Sequence, residues 1–372
     1  MSRHISVAKP MRRFMLHMIC AIVGLETAHG VSAMAQTGEI VQPLPATESS
    51  APVADDQAGF RIYLTQVRGK ALAMGVSAAT LDAVFPTLTP SPRVIRLDQS
   101  QPAGPVGTAI PPFEPYRREH VDSARINGGR EVWTAERAEL RETEQKTGVP
   151  GAVLVAIFGH ETHYGSFVGD FDLVRSLATL AYEGRRRDLF EPEFLAALKM
   201  LDRGIPRAKL VGSWAGATGY PQFLPSVYLR VARDGDGDGS ADIWSSRADA
   251  LASIAAYFVD AGWRRGEPWG VAVRVPDGFD RAAVASRLHP PRCQRVFERH
   301  SRWLSIAEWR QRGIEITGAT PIGENTLATL LEPDGPGKTA YLLTVNYRAI
   351  LDYNCSNFYA LSVGLLADAV DD

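Results

Sequence analysis

The sequence predicts a mainly helical (α+β) fold, in which a large helical region precedes a smaller α/β portion. From Arg130 to about Trp263 the apolar residues recur at helical spacing over several segments. After Gly270 the pattern changes, because VAVRVP alternates in the manner of a half-buried strand. TAYLLTVNYRAIL also has strand character, and SNFYALSVGLLADAV closes the chain as a helix.

The composition is that of a globular protein. The chain has 372 residues, of which 45% are hydrophobic and 22% charged, enough for two domains or one large one. Its formal net charge of -2 provides no overall positive field for nucleic acid or anionic lipid. We therefore expect no nucleic-acid partner.

Residues 1–35 have the layout of a secretory signal peptide. Two arginines precede the apolar stretch FMLHMICAIVGL, and small residues stand where signal peptidase would cut, after Ala35. The alternative, an N-terminal membrane anchor, is disfavoured because the stretch is shorter than the ~20 residues that a span needs. Cys20 lacks the sequence that precedes a lipidated cysteine. We therefore expect an exported, soluble protein with no transmembrane segment in its mature chain.

The remaining chain divides into three parts. Residues 36–57 are rich in Pro, Ser, Thr and Ala and predict a flexible linker. Residues 58–270 predict the helical domain, in which residues 97–114 form an extended Pro- and Gly-rich segment and one long amphipathic helix ends at Gly148. Residues 271–372 predict the smaller α/β portion and the closing helix.

The heptapeptide GHETHYG follows an apolar run and admits three interpretations. A zinc-protease site is disfavoured, because His160 and His163 are three residues apart rather than four. If the run is helical, Glu161 extends the apolar face that includes Ile157, and burial would raise the pKa of its carboxyl as a catalytic acid requires. The remaining interpretation is a glutamate at a frayed helix end. These residues alone leave the last two open.

The stretch GSWAGATGYPQFLPSVY, residues 212–228, is the second candidate site. Small residues allow its backbone to approach a ligand closely, and its aromatic rings offer faces to sugars. A tightly packed structural turn would have the same composition.

The acidic stretch DGDGDGSAD lies within residues 234–245 and has the spacing of an EF-hand-like calcium loop. Gly239 stands at the sixth position, and the twelfth, usually a glutamate, is Ser245. Asp249 is a further carboxylate that would complete the shell of the ion; the alternative is an acidic turn without a cation. The expected ligands are Asp234, Asp236, Asp238, the carbonyl of Ser240, and Asp242.

Two cysteines, Cys293 and Cys355, remain once the signal peptide is removed. An even pair in an oxidising compartment predicts one disulfide, and the alternative is two separate buried thiols.

Several motifs together resemble one family. AIFGHETHYG, LATLAY, GSWAGATGYPQFLPSVY and DGDGDGSADIW, in this order, resemble the membrane-bound lytic murein transglycosylase B family, and LDYNCSNFYALSVGLLAD resembles its final motif. The resemblance runs from about Gln57 to Ala369 and implies a lysozyme-like catalytic domain. It implies that Glu161 is the sole catalytic acid and base. The residues that it implies for substrate binding are Ser213, Gln222, Asn354, Tyr116, Tyr257, Tyr353 and Tyr359.

The sequence departs from the family pattern at three positions in these motifs. His160 stands where the family usually has an apolar residue, which puts the pH optimum in question, and Thr218 and Leu224 replace methionines. A disulfide from Cys355 would hold the loop that carries Asn354.

The resemblance implies non-hydrolytic cleavage of the β-1,4 bond between N-acetylmuramic acid and N-acetylglucosamine in peptidoglycan glycan strands. It implies a periplasmic enzyme, which we expect to be monomeric, with no cofactor for catalysis and a structural Ca²⁺ in the acidic loop. The alternatives are a non-catalytic peptidoglycan-binding protein and a hydrolytic muramidase. A hydrolase would need a second acid; Asp170 and Asp172 are the nearest, and we expect both to be structural.

Overall fold

The computed structural model describes residues 56–101, 111–287 and 293–371. The predicted signal peptide and almost all of the predicted linker lie outside these ranges. Among the described residues, no helix combines the length and apolar character needed to span a membrane.

The helices and strands within these ranges confirm the mainly helical prediction. The helices are α1 (Gln57–Ala73), α2 (Ala78–Val84), α3 (Pro92–Gln99), α4 (Phe113–His120), α5 (Ser123–Ala135), α6 (Arg137–Thr147), α7 (Gly151–Thr162), α8 (Leu173–Glu183), α9 (Arg187–Asp202), α10 (Pro225–Val231), α11 (Arg247–Asp260), α12 (Gln294–Phe297), α13 (Ile306–Gln311), α14 (Val345–Tyr353) and α15 (Asn357–Asp371). The strands are β1 (Phe171–Asp172), β2 (Val211–Gly212), β3 (Gly270–Arg274), β4 (Leu304–Ser305), β5 (Glu315–Ile316), β6 (Leu327–Leu331) and β7 (Ala340–Leu343).

Helix α7 runs through the largest hydrophobic core. Every residue from Gly151 to Gly159 is buried, because α5, α6, α11 and α15 pack around the helix. A helix surrounded in this way needs no polar face, which explains the uninterrupted apolar run GAVLVAIFG. Each fully buried Leu, Ile or Phe side chain contributes about 1.5–3 kcal/mol to this packing. Only the last turn of α7 reaches partly exposed positions.

The predicted helical domain contains a second core, formed by α1, α2, α3, α8 and α9. Phe60, Phe190 and Phe194 are fully buried in it. The two helical cores are connected through α10, which packs against both α9 and α11.

The smaller α/β portion is a five-stranded antiparallel sheet in the order β4-β6-β7-β3-β5. Its own core includes the fully buried Trp309 of α13, whose indole nitrogen donates to Ala328 O at 3.0 Å. The closing helix α15 does not pack in this core but against α7 and α5. The end of the chain therefore returns to the helix that carries GHETHYG.

Three local predictions are wrong. The long amphipathic helix is two helices, α5 and α6, separated at Glu136. The run TAYLLTVNYRAIL is a strand only as far as Leu343, because Thr344 accepts a hydrogen bond from Asn346 N at 3.1 Å and starts α14. Helix α3 and the start of α4 occupy the ends of the segment predicted to be extended, and its middle, residues 102–110, lies outside the described ranges.

Replacing Leu154 with alanine should destabilise the protein by about 2–5 kcal/mol, because Leu154 is fully buried in α7 and a cavity would remain. Urea unfolding followed by circular dichroism measures the effect. Ile62→Ala is the matched control, because Ile62 is 62% exposed and the expected change is within about 0.5 kcal/mol. Equal losses in the two variants would contradict the assignment of α7 to the core.

Candidate active site

Glu161 lies in the last turn of α7, where the helix meets solvent. The helix ends because His163 and Tyr164 have φ of 50° and 58°, in the left-handed region. Tyr164 then folds back over Gly159, where an added Cβ would lie 2.6 Å from the tyrosine hydroxyl. Glu161 itself is partly buried, and its Oε1 accepts a hydrogen bond from the Tyr359 hydroxyl at 2.5 Å. A carboxyl held in this way remains accessible to a ligand.

The protonation of Glu161 is set by its surroundings. Burial raises its pKa to about 7, and the hydrogen bond from Tyr359 opposes part of that rise. No other charged group among the described residues contributes to the shift. The carboxyl is therefore balanced between acid and carboxylate near neutral pH, as a group that donates and then accepts a proton must be.

The four predicted tyrosines divide into two kinds. The charge of Glu161 raises the pKa of Tyr116, Tyr353 and Tyr359, although burial is the larger cause in each case. Three phenol groups therefore lie near enough to respond to the charge of the carboxylate, and Tyr359 donates a hydrogen bond to it. Tyr257 lies behind them, with its ring 4.7 Å from that of Tyr353 and its hydroxyl donating to Asp352 at 2.9 Å. Its contacts support Tyr353.

The glycine-rich stretch is a compact loop beside α7. The Ser213 hydroxyl is buried and accepts from Ala217 N at 3.0 Å, and its own proton has no acceptor among the described residues. Gln222 has φ of 52°, and its amide nitrogen donates to Gly219 O at 2.9 Å and to Val168 O at 3.3 Å. Within the described residues its side-chain carbonyl accepts no hydrogen bond. The loop therefore offers one hydroxyl and one amide oxygen to a ligand.

Asn354 lies between α14 and α15 and is held from both sides. The preceding Tyr353 donates to Pro221 O in the glycine-rich loop at 2.5 Å. The following Cys355 is joined by a disulfide to Cys293, with a Cα–Cα distance of 5.8 Å. The side chain of Asn354 has no hydrogen-bond partner among the described residues, so its amide is available.

Sequence reasoning did not identify His120, which joins Tyr116 and His160 in a row of rings that ends at Tyr359. Tyr116 stacks on His120 with 3.8 Å between ring centroids, His120 on His160 at 6.0 Å, and His160 contacts Tyr359 at 5.5 Å. Burial, with the nearby charge of Arg125, lowers the pKa of His160 to about 3, so the imidazole is neutral at pH 7. His160 therefore replaces an apolar residue without adding charge beside Glu161. The sequence gives no signal for His120, because its partners are distant along the chain.

The remaining histidine and aspartates do not join Glu161. His163 is exposed beyond the helix end. It therefore does not form with His160 the pair of zinc ligands on one helix face that a zinc-protease site needs. Asp172 caps α8 through Arg175 N and forms an ion pair with Arg207, and Asp170 is exposed beside Arg93.

The acidic loop brings together three carboxylates. Oxygens of Asp234, Asp236 and the buried Asp249 lie within 4.8 Å of one another, which suits a hard cation that prefers oxygen ligands. Neither Asp238 nor Asp242 is part of this group. Asp242 instead forms an ion pair with Lys209 at 2.8 Å. Ser240 is exposed on the same loop.

The acidic loop also supports the glycine-rich loop. Tyr220 N donates to Ile243 O at 2.8 Å, and the Trp244 indole donates to Thr218 Oγ1 at 2.8 Å. Thr218 thus makes a hydrogen bond that methionine, the usual family residue, does not make. An ion or contact that orders the acidic loop therefore also helps to order the stretch that contains Ser213 and Gln222.

A single partly buried acid, bonded to a tyrosine at the end of a helix in a mainly helical fold, fits an enzyme of the lysozyme-like class. The sequence profile of the Transglycosylase SLT domain family matches residues 59–368. The chain therefore belongs to this family, and it is a lytic transglycosylase.

Known proteins support this assignment. The chain is 32% identical over 286 residues to membrane-bound lytic murein transglycosylase B of Escherichia coli, covering 74% of this chain and 73% of that protein. It is similar to SltB3 from Pseudomonas aeruginosa in complex with NAG-anhNAM-pentapeptide, with 39% identity, a TM-score of 0.74, and coverage of 84% and 79%. It is also similar to an Escherichia coli lytic transglycosylase in complex with calcium, with 27% identity, a TM-score of 0.66, and coverage of 86% and 95%.

Tyr359→Phe should move the alkaline limb of the pH–activity profile to higher pH. The hydroxyl of Tyr359 stabilises the charged form of Glu161, so its removal raises the pKa and keeps the carboxyl protonated at higher pH. At low pH we expect kcat/KM of the Tyr359→Phe variant to be about 10- to 100-fold lower than that of the unmodified enzyme, because the Glu161 carboxylate formed in the reaction loses a hydrogen bond. The measurement is kcat/KM from pH 4 to 9, a range of about two to three units on either side of this pKa.

Tyr353→Phe is the control, because its hydroxyl donates to Pro221 O and not to Glu161. Its alkaline limb should stay in place. A limb that moves to lower pH in Tyr359→Phe would contradict the role given to this hydrogen bond.

Proposed function

We propose that the enzyme cleaves the β-1,4 bond between N-acetylmuramic acid and N-acetylglucosamine without water and leaves a 1,6-anhydro-N-acetylmuramic acid end. The observation that carries the proposal is the position of Glu161, partly buried at the end of α7 with a pKa of about 7. SltB3, to which the chain is similar, has been solved with NAG-NAM-pentapeptide and with NAG-anhNAM-pentapeptide. The second of these ligands carries an anhydro-NAM end, which is the kind of end that the proposed reaction leaves.

In the first step the protonated Glu161 donates its proton to the glycosidic oxygen. The bond from C1 to that oxygen breaks, the N-acetylglucosamine side leaves with a hydroxyl, and the 2-acetamido oxygen of the substrate stabilises the positive charge at C1. Tyr359 stabilises the carboxylate that forms on Glu161, because its hydroxyl already donates to Oε1. The raised pKa favours this proton transfer near neutral pH.

In the second step the Glu161 carboxylate accepts the proton of the C6 hydroxyl. The C6 oxygen then bonds to C1 and closes the anhydro ring, which returns Glu161 to its protonated form and consumes no water. One carboxyl suffices for both steps. This agrees with the finding that no other carboxylate among the described residues affects the pKa of Glu161, whereas glycoside hydrolases use a pair.

The groups that position the sugar are those that have a donor or acceptor without a partner among the described residues. We assign the Gln222 carbonyl, the Ser213 hydroxyl and the Asn354 amide to the sugar and its acetamido group. Tyr116 and Tyr353 line the same carboxylate, and Tyr257 holds Tyr353 in place. Two of the three polar groups are next to backbone with restricted freedom, Gln222 at a positive φ and Asn354 beside a disulfide.

We propose that the enzyme works in the periplasm as a monomer. A peptidoglycan substrate and a disulfide both fit that oxidising compartment.

Glu161→Gln should lower cleavage of purified peptidoglycan sacculi by at least about 100-fold, because the amide cannot donate and accept the proton as the acid does. Binding to sacculi should remain. The measurement is mass spectrometry of the released fragments together with a pull-down on intact sacculi. Glu131→Gln, at an exposed position of α5, is the matched control and should retain full activity.

The fragment masses distinguish the alternatives. Anhydro ends, each lighter by one water than the hydrolysis product, support the proposal. Reducing ends from the unmodified enzyme would mean a hydrolytic muramidase, and intact sacculi with retained binding would mean a non-catalytic binding protein. Full activity in Glu161→Gln would show that Glu161 is not the catalytic acid.

We also propose that Asp234, Asp236 and Asp249 hold a structural calcium ion. The ion would neutralise three carboxylates that lie within 4.8 Å of one another and would order the loop that supports Thr218 and Tyr220. A similar lytic transglycosylase from Escherichia coli has been solved with calcium.

Calcium should raise the thermal midpoint of the protein, because an ion that binds only the folded state stabilises it by about 2.7 kcal/mol at 100 times its Kd. Differential scanning fluorimetry with added Ca²⁺ or Mg²⁺ after treatment with a chelator provides the measurement. Asp236→Asn should reduce the response, and Asp277→Asn, an exposed aspartate in the small α/β portion, should not. An identical midpoint with and without Ca²⁺ would refute the site.

A further inference from the structure

An aromatic side chain stands unpacked on the loop that follows Glu161. Phe167 is 61% exposed, on the segment between α7 and β1. It is the one aromatic residue among the large hydrophobic side chains that are exposed in the described ranges. The others are Ile62, Leu72, Met74, Val259 and Leu327. A single exposed apolar side chain is ordinary on a protein surface, so the significance of Phe167 depends on its place beside the candidate site.

The loop that carries Phe167 is fixed by backbone hydrogen bonds. Phe167 N donates to Thr162 O at 3.0 Å, and Thr162 Oγ1 accepts from Gly165 N at 3.1 Å and donates to Tyr220 O at 3.2 Å. Gly165 has φ of 89°, a conformation that glycine adopts at little cost. The ring is therefore presented from a pinned backbone, and its exposure is not a consequence of a loose loop.

The loop also adjoins the groups assigned to sugar binding. The carbonyl of Val168, next to Phe167, accepts from the Gln222 amide at 3.3 Å. One residue further on, Gly169 packs so closely on the glycine-rich loop that a Cβ there would lie 2.1 Å from Gly212 O. Phe167 is thus six positions after the catalytic acid and one position from a contact with Gln222.

We propose that Phe167 is a carbohydrate-stacking platform, which binds the apolar face of a sugar ring of the glycan strand beside the cleavage site. The inference rests on the proposed function, since it names a further contact of the same site. A pyranose ring presents C–H groups on its face and hydroxyls on its edge, so a flat apolar side chain binds the face while the edge stays hydrated. No group of Phe167 can transfer a proton, so its contribution is to binding and orientation.

The test measures glycan affinity separately from turnover. In the Glu161→Gln background, soluble uncross-linked glycan strands are titrated into the protein and followed by calorimetry. Phe167→Ala should weaken binding by about tenfold, the effect of losing most of the burial of one phenyl ring. Phe167→Tyr and Phe167→Trp should bind within about threefold of the parent, because each keeps an aromatic face, whereas aliphatic Phe167→Leu should not.

Ile62→Ala is the matched control. Ile62 is as exposed as Phe167, but it lies on α1, whose buried face belongs to the second helical core. It should leave the affinity unchanged. In the Phe167→Trp variant the added indole should also change its fluorescence when glycan binds, which a residue with only a structural role would not do. In the active enzyme Phe167→Ala should raise KM about tenfold, with a smaller change in kcat.

Two results would overturn the proposal: an unchanged affinity in Phe167→Ala, or a loss in Phe167→Ala that Phe167→Leu repairs as well as the aromatic variants. The first would leave Phe167 as a contact for something other than glycan, and the second would show that bulk suffices. Neither outcome affects the proposed function, whose failure appears in the products of the unmodified enzyme and in the activity of Glu161→Gln.

Discussion

The architecture depends on one constraint, which is that α7 must be buried along almost its whole length and yet expose its final turn. Packing from four helices supplies the burial, and the left-handed residues His163 and Tyr164 stop the helix before Glu161 becomes enclosed. The carboxyl therefore lies where desolvation raises its pKa to about 7 but where a ligand can still reach it. A helix one turn longer would enclose the carboxyl, and a looser core would expose it and give an ordinary glutamate.

The surroundings of that carboxyl come from parts of the chain that are far apart in sequence. Tyr359 approaches from α15 and Tyr353 from the end of α14, where the Tyr353 hydroxyl donates to Pro221 O of the glycine-rich loop. The closing helix leaves the small sheet and packs on α7, which brings the last motif of the chain to the middle of the helical core. The disulfide between Cys293 and Cys355 and the bond from Tyr353 to Pro221 then fix the segment that contains Asn354.

The acidic loop contributes to the site at a distance. Its carboxylates are not in contact with Glu161, but the hydrogen bonds from Tyr220 to Ile243 and from Trp244 to Thr218 connect it to the glycine-rich loop. That loop packs in turn against the segment carrying Phe167, through Gly212 and Gly169. The acidic loop is therefore connected by these contacts to the glycine-rich loop and, through it, to the segment that carries Phe167.

The sequence by itself determined the mainly helical class and the burial of the run before GHETHYG, because each of these is a local pattern of polarity and spacing. The local pattern left the role of Glu161 open, and only the resemblance of several motifs to one family singled it out as the acid. The sequence predicted poorly where tertiary contacts compete with local preference, as in the break at Glu136 and the turn at Thr344 that converts strand character into α14. Only the tertiary structure decided which side chains meet: it brought Tyr359 to Glu161, put Tyr257 behind Tyr353, directed Asp242 to Lys209, and stacked His120 on Tyr116. The physical reason is that pKa shifts and hydrogen bonds depend on distances of a few ångströms between residues far apart in the chain, 198 positions for Glu161 and Tyr359, and no local pattern encodes such distances.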